Sequence, residues 1–399
     1  MTPAILYISY DGMLEPLGQS QVLAYLERLA AGRRIHLMSF EKPADWADAR
    51  RRAEIARRIS DAGIHWHPMR YHKSPSVPAT AYDIAAGSLK SISLCRRYKL
   101  GMVHARSYVA GLMALAAKRT TGARLLFDMR GFWADERVDG GMWPAGGSLY
   151  RAAKGVERRL LLSADHIVTL TQASAEELAG WPYLQGKMPP VTVIPTCADL
   201  DRFAIQGPPQ RQPFVLGYVG SVGTWYLLDK MLAFFALLRE QRPDARLLFV
   251  NRHEHALIQK RCREMRVPRE SVELVAADHA QIPRLIGRIS AGMALYAASY
   301  SRSACAPTKL AEYLGCGVPC VGSPGIGDMD EILADGSVGI TLPDTSKGAL
   351  ERGVEQLLAL CGEDDLQSRC RAKAVACFSL DEGVRRYSSI YDALSPTRS

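Results

Sequence analysis

Short apolar runs rich in β-branched residues alternate along the chain with longer segments in which apolar positions recur every three or four residues. Runs of the first kind read as strands buried on both faces, and segments of the second kind as helices laid against a sheet. In the first half, strands are expected at Ala4–Ser9, Ile35–Phe40, Ile64–His67, Met102–His104 and Ala123–Phe127. Helices are expected at Gln19–Gly32, Ala44–Ala62, Ala79–Tyr98 and Leu149–Leu162. The stretch ADHIVTLTQASAEEL reads as strand, cap and helix. Residues 205–213 (IQGPPQRQP) are rich in Pro, Gly and Gln and form the clearest linker. Beyond them strands are expected at Val215–Val219, Ser271–Ala276, Gly292–Tyr296 and Val318–Val321. Helices follow at Ile282–Arg288, Ser346–Leu360 and Leu380–Leu394. Strand and helix alternating in both halves predict an α/β protein of two doubly wound domains facing across a cleft. The expected division is 1–204, a linker at 205–213, 214–378, and a final helix at 379–399.

With 399 residues the chain exceeds what a single core of ~250–300 residues supports, which fits two domains. The apolar runs stay below the ~18–20 residues that span a bilayer, and the opening MTPAILYISYDG lacks the basic flank and cleavage site of a signal peptide. A cytoplasmic protein is expected. Its nine cysteines form no Cys-x-x-Cys pair and have no His at zinc spacing, so reduced, buried thiols are expected and no metal.

Charge is uneven. Of the net +9, residues 1–205 hold 27 Lys and Arg against 19 Asp and Glu, and residues 206–399 hold 23 against 22. The basic first half points to an anionic partner: a membrane surface, a lipid-linked phosphate, or nucleic acid. No helix-turn-helix, RNP or zinc-finger pattern accompanies the charge, which argues against nucleic acid. Arg50, Arg51, Arg52, Arg57 and Arg58 lie on one predicted helix, and Arg151, Lys154 and Arg158 form a stripe on another. These are either solvated faces or contacts with an anionic membrane or acceptor.

The most informative stretch is Ser301–Gly322, SRSACAPTKLAEYLGCGVPCVG. Pro307 suits the first position of a helix and leaves the amides of Thr308 and Lys309 free at its start. An anion there gains roughly 0.3–1 kcal/mol from the helix dipole, and Lys309 and Arg302 add charge fitted to a diphosphate. Glu312 lies one turn further on, where a carboxylate accepts hydrogen bonds from a ribose diol. Read without context, PTKLAEYLGCG is also an ordinary amphipathic helix with Leu310 and Leu314 inward.

The ordered run PTKLAEYLGCGVPCVG resembles the donor-sugar motif of the retaining GT-B glycosyltransferases of family 4: Glu, seven residues, Glu, then a helix ending Gly-x-Pro. Glu312 stands where the second glutamate stands, and Ala304 replaces the first. The resemblance extends over nearly the whole chain. VTVIPTCADLDRF resembles the turn that closes the first domain, with Thr196 and Cys197 in place of Asn-Gly. The resemblance implies a GT-B fold and transfer of a sugar from a nucleotide-diphosphate donor, UDP or GDP, to a glycan or lipid-linked acceptor with retention. The product would belong to cell-surface polysaccharide or glycolipid synthesis, made at the inner face of the membrane. No cofactor is implied, because basic residues and helix amides neutralise the leaving diphosphate. Lys309, Arg302 and Glu312 are the implied catalytic set. Two alternatives are a GT-B-like nucleotide-sugar epimerase and a non-catalytic nucleotide-sugar or glycan-binding module.

In the second half, Gly217, Gly220 and Gly223 follow a strand with the spacing G-x-x-G-x-x-G, and no acid ends the next strand, so NAD(P) is not expected. The resemblance turns this loop toward the donor diphosphate, where Ser221 replaces the usual Arg. Gly220, Ser221, Asn251, Arg252, Pro307, Thr308 and Gly325 are the expected donor contacts, with Arg252 a candidate for the missing charge. In the first half the resemblance puts Gly18 and Gln19 at the cleft mouth. His104 and Arg106 stand where a strand meets a helix, the edge at which open α/β sheets bind ligands, although His104 there is equally compatible with a structural role. The loop DMRGFWADERVDGGMW offers Asp128, Arg130 and Trp133 to the acceptor. Arg130 stands near a position where the family often has His.

Overall fold

The computed structural model describes residues 4–209 and 212–395, except for the side chain of His279. The chain divides into two units, one running to Pro195 and resuming at Leu380, the other Thr196–Ser379.

The first unit is built on seven strands: β1 (Ala4–Ser9), β2 (Arg34–Glu41), β3 (His65–Arg70), β4 (Met102–Arg106), β5 (Arg124–Asp128), β6 (His166–Thr169) and β7 (Val191–Val193). They lie in the order β3-β2-β1-β4-β5-β6-β7, every neighbouring pair parallel. β1 is buried along its whole length, as a strand covered by helices on both faces must be. β3 closes one edge, is half exposed and carries Pro68, which an edge strand tolerates.

The second unit repeats the plan with β8 (Val215–Val219), β9 (Arg246–Val250), β10 (Val272–Val275), β11 (Ala291–Ala294), β12 (Cys320–Gly322) and β13 (Gly339–Thr341). The order is β10-β9-β8-β11-β12-β13, again parallel throughout. Each sheet therefore reverses its winding once, between β1 and β4 and between β8 and β11, and such a switch point opens a ligand crevice at the carboxyl ends of the strands. Two apolar cores flank the second sheet, one centred on Tyr313 and Leu314, the other on Phe234 and Phe235.

Several boundaries differ from the sequence-based expectation for identifiable reasons. The division falls at Pro195, ahead of the expected linker, because Ala198, Leu200 and Phe203 are buried in the second unit's core and Arg371 holds the carbonyls of Leu200 and Phe203. Of the linker, Gln210 and Arg211 lie outside the described residues. The helix expected over Ala44–Ala62 is two helices, Pro43–Ala47 and Ala49–Asp61, because Asp48 caps the second by accepting from the Arg51 amide at 3.0 Å. The loop after Asp128 contains a helix, Trp133–Asp139. The helix expected to follow Arg106 runs Ser107–Thr121; it is largely apolar and buried on most sides, so no amphipathic signal marks its bounds in sequence. The helix Leu380–Leu394 packs in the first unit.

Candidate functional site

In the second unit the loop after β8 and the segment Tyr300–Gly315 surround one lysine. Pro307 caps the helix Thr308–Gly315 with extended geometry instead of forming its first turn. The amides of Thr308 and Lys309 still start the helix without intrahelical acceptors. Lys309 is 7% exposed. Its Nζ lies 3.0 Å from the Tyr296 hydroxyl and over the rings of Tyr226, Tyr296 and Tyr218, at 4.2, 4.8 and 5.0 Å. Cation–π attraction offsets part of its desolvation, yet burial still pushes its pKa down to about 8. Gly220 borders this lysine at φ +129°, a backbone conformation that other residues rarely adopt.

Glu312 is 8% exposed, and no hydrogen bond reaches its carboxylate among the described residues. Burial raises its pKa to about 7, against the opposing pull of Lys309 and Arg202. An ionisable pair with perturbed pKa values on one helix at a sheet's carboxyl edge marks a ligand site better than a scaffold. Arg302 is buried in the turn Tyr300–Ala304 with its guanidinium 4.3 Å from the Trp225 ring. Its carbonyl accepts from Gly327 at 2.9 Å, tying the following glycine loop to this wall.

Other expected donor contacts have different work. Asn251 is buried; its side chain donates to the Gly220 carbonyl at 2.9 Å and accepts from the Glu254 amide at 2.7 Å. It shapes the loop and has little left for a ligand. Arg252 donates to the Ala277 carbonyl at 2.9 Å and pairs with Asp278, which ties its guanidinium to the loop after β10. Ser221 is exposed, and its carbonyl accepts from the Tyr218 hydroxyl at 2.5 Å. Gly325, at φ +69°, gives its amide to Asp330 at 2.7 Å, so that N–H is not free for a sugar hydroxyl.

In the first unit His104, Arg106, Asp128 and Arg130 converge at the ends of β4 and β5, under tyrosines of the last helix. Tyr387 donates to Asp128 at 3.1 Å, and Tyr391 lies 2.7 Å from His104 Nδ1. His104 is 1% exposed, and burial lowers its pKa against the opposing pull of Asp128, which lies 3.8 Å from Nε2. Its contact with Tyr391 ties it to the last helix. Burial alone would raise the Asp128 pKa; Arg130 and His104 outweigh it and hold the carboxylate ionised. Arg106 faces Asp11 at 3.8 Å, and Arg130 faces Asp128 at 3.8 Å from a backbone at φ +64°. Non-glycine residues held there are uncommon and cluster at functional sites.

Gly18 is helical instead of looped, and Gln19 lies in a helical segment as expected. A helix starts at Pro16, and Gln19 opens a π-type turn, Gln19–Leu23. Gly18 is required, because a Cβ would stand 2.0 Å from the Gly12 carbonyl. Glu41, unmarked by any motif, holds this segment by accepting from the Met13 and Leu14 amides at 2.9 and 3.2 Å. Trp133 packs edge-on to Trp143 at 5.2 Å and stacks near Tyr108 at 5.8 Å, so much of its surface is spent on packing. No cluster of metal-ligating side chains occurs among the described residues.

Residues 19–197 match the glycosyl transferase 4-like domain model, and residues 201–375 match the glycosyl transferases group 1 model. No curated protein matches the chain in sequence. Among solved structures, a glycosyltransferase from Rickettsia africae superposes with a TM-score of 0.70 at 15% identity, covering 100% of both chains. Sucrose-phosphate synthase from Thermosynechococcus elongatus gives 0.72 at 15% identity, covering 98% of this chain and 99% of that one. HepE from Anabaena, solved with UDP and glucose, gives 0.67 at 14% identity, covering 98% and 100%. At these identities the structural likenesses speak for the fold.

Proposed function

The chain belongs to the GT-B glycosyltransferases, with a glycosyl transferase 4-like domain followed by a group 1 domain, and from that premise we propose that it moves a sugar from a UDP or GDP donor to a glycan or lipid-linked acceptor with retention. The observation that carries this reading is the buried Lys309–Glu312 pair, one turn apart on the helix Thr308–Gly315, with Glu312 lacking any donor among the described residues. A ribose diol supplies the O–H donors that Glu312 lacks. The amides of Thr308 and Lys309, with the Lys309 ammonium and Arg302, receive the diphosphate and stabilise the charge that grows on it as the glycosidic bond breaks. With a pKa near 8, Lys309 is mostly protonated at neutral pH, and a bound diphosphate holds it so. HepE, of the same fold, was crystallised with UDP and glucose, which supports a nucleotide-sugar partner here.

On this reading Arg106, Asp128 and Arg130 belong to the acceptor side. The acceptor is glycan or lipid-linked, the product a cell-surface polysaccharide or glycolipid, and the enzyme acts in the cytoplasm at the inner face of the membrane. The net basic charge of residues 1–205 supports that placement. The test is a screen of nucleotide sugars by thermal shift, since a ligand at 100 times its Kd stabilises by about 2.7 kcal/mol. The donor found is then followed by NMR of the product's anomeric proton. An α-linked product from an α-linked donor supports retention. Product without acceptor would instead favour an epimerase, and binding without turnover a non-catalytic module.

A further inference from the structure

The helix Ser76–Tyr98 of the first unit buries one face and leaves another bare. Asp83, Gly87, Ser91, Leu94 and Cys95 face inward and are buried. On the other side Val77, Tyr82 and Leu89 are 60, 61 and 71% exposed. At 100° per residue these three, with exposed Ala81 and Ala85, fall within one stripe of about 140°. The stripe is roughly 18 Å long at 1.5 Å per residue. Exposed apolar side chains are unremarkable singly, but an aligned set on one helix marks a contact surface.

The charges around the stripe identify what it meets. The helix has one carboxylate, Asp83, and it is turned inward onto His72 and Tyr10. Lys73 stands before the stripe; Lys90, Arg96, Arg97 and Lys99 continue and flank it, and all five are exposed. Among the described residues none of Lys73, Lys90, Arg96 and Lys99 meets a carboxylate. Three of the five arginines that made the helix Ala49–Asp61 attractive in sequence are engaged internally. Arg58 pairs with Glu27 at 2.5 Å, Arg51 faces Asp45 at 3.9 Å, and Arg52 packs on the Trp46 ring at 5.1 Å. Lys154 of the second basic stripe is likewise held by Asp135 at 3.0 Å and by Glu157.

We propose that the exposed face of Ser76–Tyr98 docks on an anionic lipid bilayer, with Val77, Tyr82 and Leu89 entering the headgroup region and the five cations meeting lipid phosphates. An apolar face edged by basic residues, in a protein with no helix among its described residues long and apolar enough to cross a membrane, is the arrangement of an interfacial helix. A second copy of this chain is a poor occupant, because it would set five cations against five. The inference deepens the reading of a membrane-proximal acceptor and rests on it for its purpose.

The test is sedimentation of the full-length protein with vesicles of phosphatidylglycerol and phosphatidylcholine, and with phosphatidylcholine alone, in the absence of donor and acceptor. The wild type should pellet with the anionic vesicles only, and rising salt should release it. Tyr82→Ser with Leu89→Gln should weaken partitioning roughly tenfold. Lys90→Glu with Arg96→Glu and Arg97→Glu should abolish it, and Arg51→Ala with Arg58→Ala, whose guanidinium groups are held by Asp45 and Glu27, should change little. Both helix-face variants replace exposed side chains, and unchanged circular dichroism confirms their fold. The proposal is overturned if the wild type stays in the supernatant, if all variants pellet equally, or if Leu89→Gln instead dissolves a dimer seen by light scattering. Vesicle binding is read without nucleotide, so its failure leaves the donor assignment standing, and failure of nucleotide binding leaves this surface standing.

Discussion

Replacing Glu312 by Gln should move stability and donor affinity in opposite directions. In the empty protein the buried carboxyl has a pKa near 7 against an ordinary 4.5. Between those values the folded state keeps a proton that the unfolded state has lost, so rising pH costs the folded wild type stability across that window. Glutamine does not titrate. The variant's advantage should therefore be near zero below pH 4.5, grow through the window, and level off above pH 7. Two and a half pH units at 1.36 kcal/mol each set an upper limit of about 3 kcal/mol, a figure that already includes the attraction to Lys309. That corresponds to a rise of at most roughly 10 °C in the Tm of a unit this size. Nucleotide binding should weaken by about 1.5–3 kcal/mol, the worth of hydrogen bonds to a charged acceptor. Thermal melts at pH 4.5, 6 and 8 and calorimetric titration with the preferred nucleoside diphosphate measure both. A variant less stable than wild type at pH 8 would show that Glu312 is scaffold. Unchanged affinity for the nucleotide would remove it from the donor site.

Lys309→Met should lower affinity for the nucleoside diphosphate far more than for the nucleoside, with a loss that shrinks as salt rises; equal losses in paired titrations would mean that the helix start is damaged. Arg252→Ala should change diphosphate affinity by less than twofold, because its guanidinium is already held by Ala277 and Asp278; a tenfold loss by the same titration would return Arg252 to the site. Tyr391→Phe should destabilise the first unit by about 1–3 kcal/mol in denaturant melts, by leaving buried His104 Nδ1 without its hydrogen-bond partner, while nucleotide affinity stays unchanged.

The sheets were readable because parallel strands buried on both faces are written as unbroken apolar runs, and Ala4–Ser9 and Val215–Val219 fall where those runs fall. The helix Thr308–Gly315 was readable from its punctuation, Pro307 before it and Gly317 after it. What surrounds its lysine was not. Tyr218, Tyr226 and Tyr296 come from three segments, and only the fold gathers them. The bond between His104 and Tyr391 joins residues 287 apart in sequence, so a histidine at a sheet edge could not be told from a ligand contact. Asp48, by contrast, was a legible cap inside the run read as one helix. Charge misled most: Arg252 and the arginines at 51, 52 and 58 look free in sequence and find partners in the fold.

The central claim is that Lys309 and its helix hold the diphosphate of a sugar donor that this enzyme consumes. Its most direct test is 31P NMR of UDP- and GDP-sugars incubated with wild type and with Lys309→Met. Release of free nucleoside diphosphate from at least one donor by the wild type, and its loss in the variant, is the predicted result. Donors that all persist with the wild type, or release that is equal in both proteins, would contradict it.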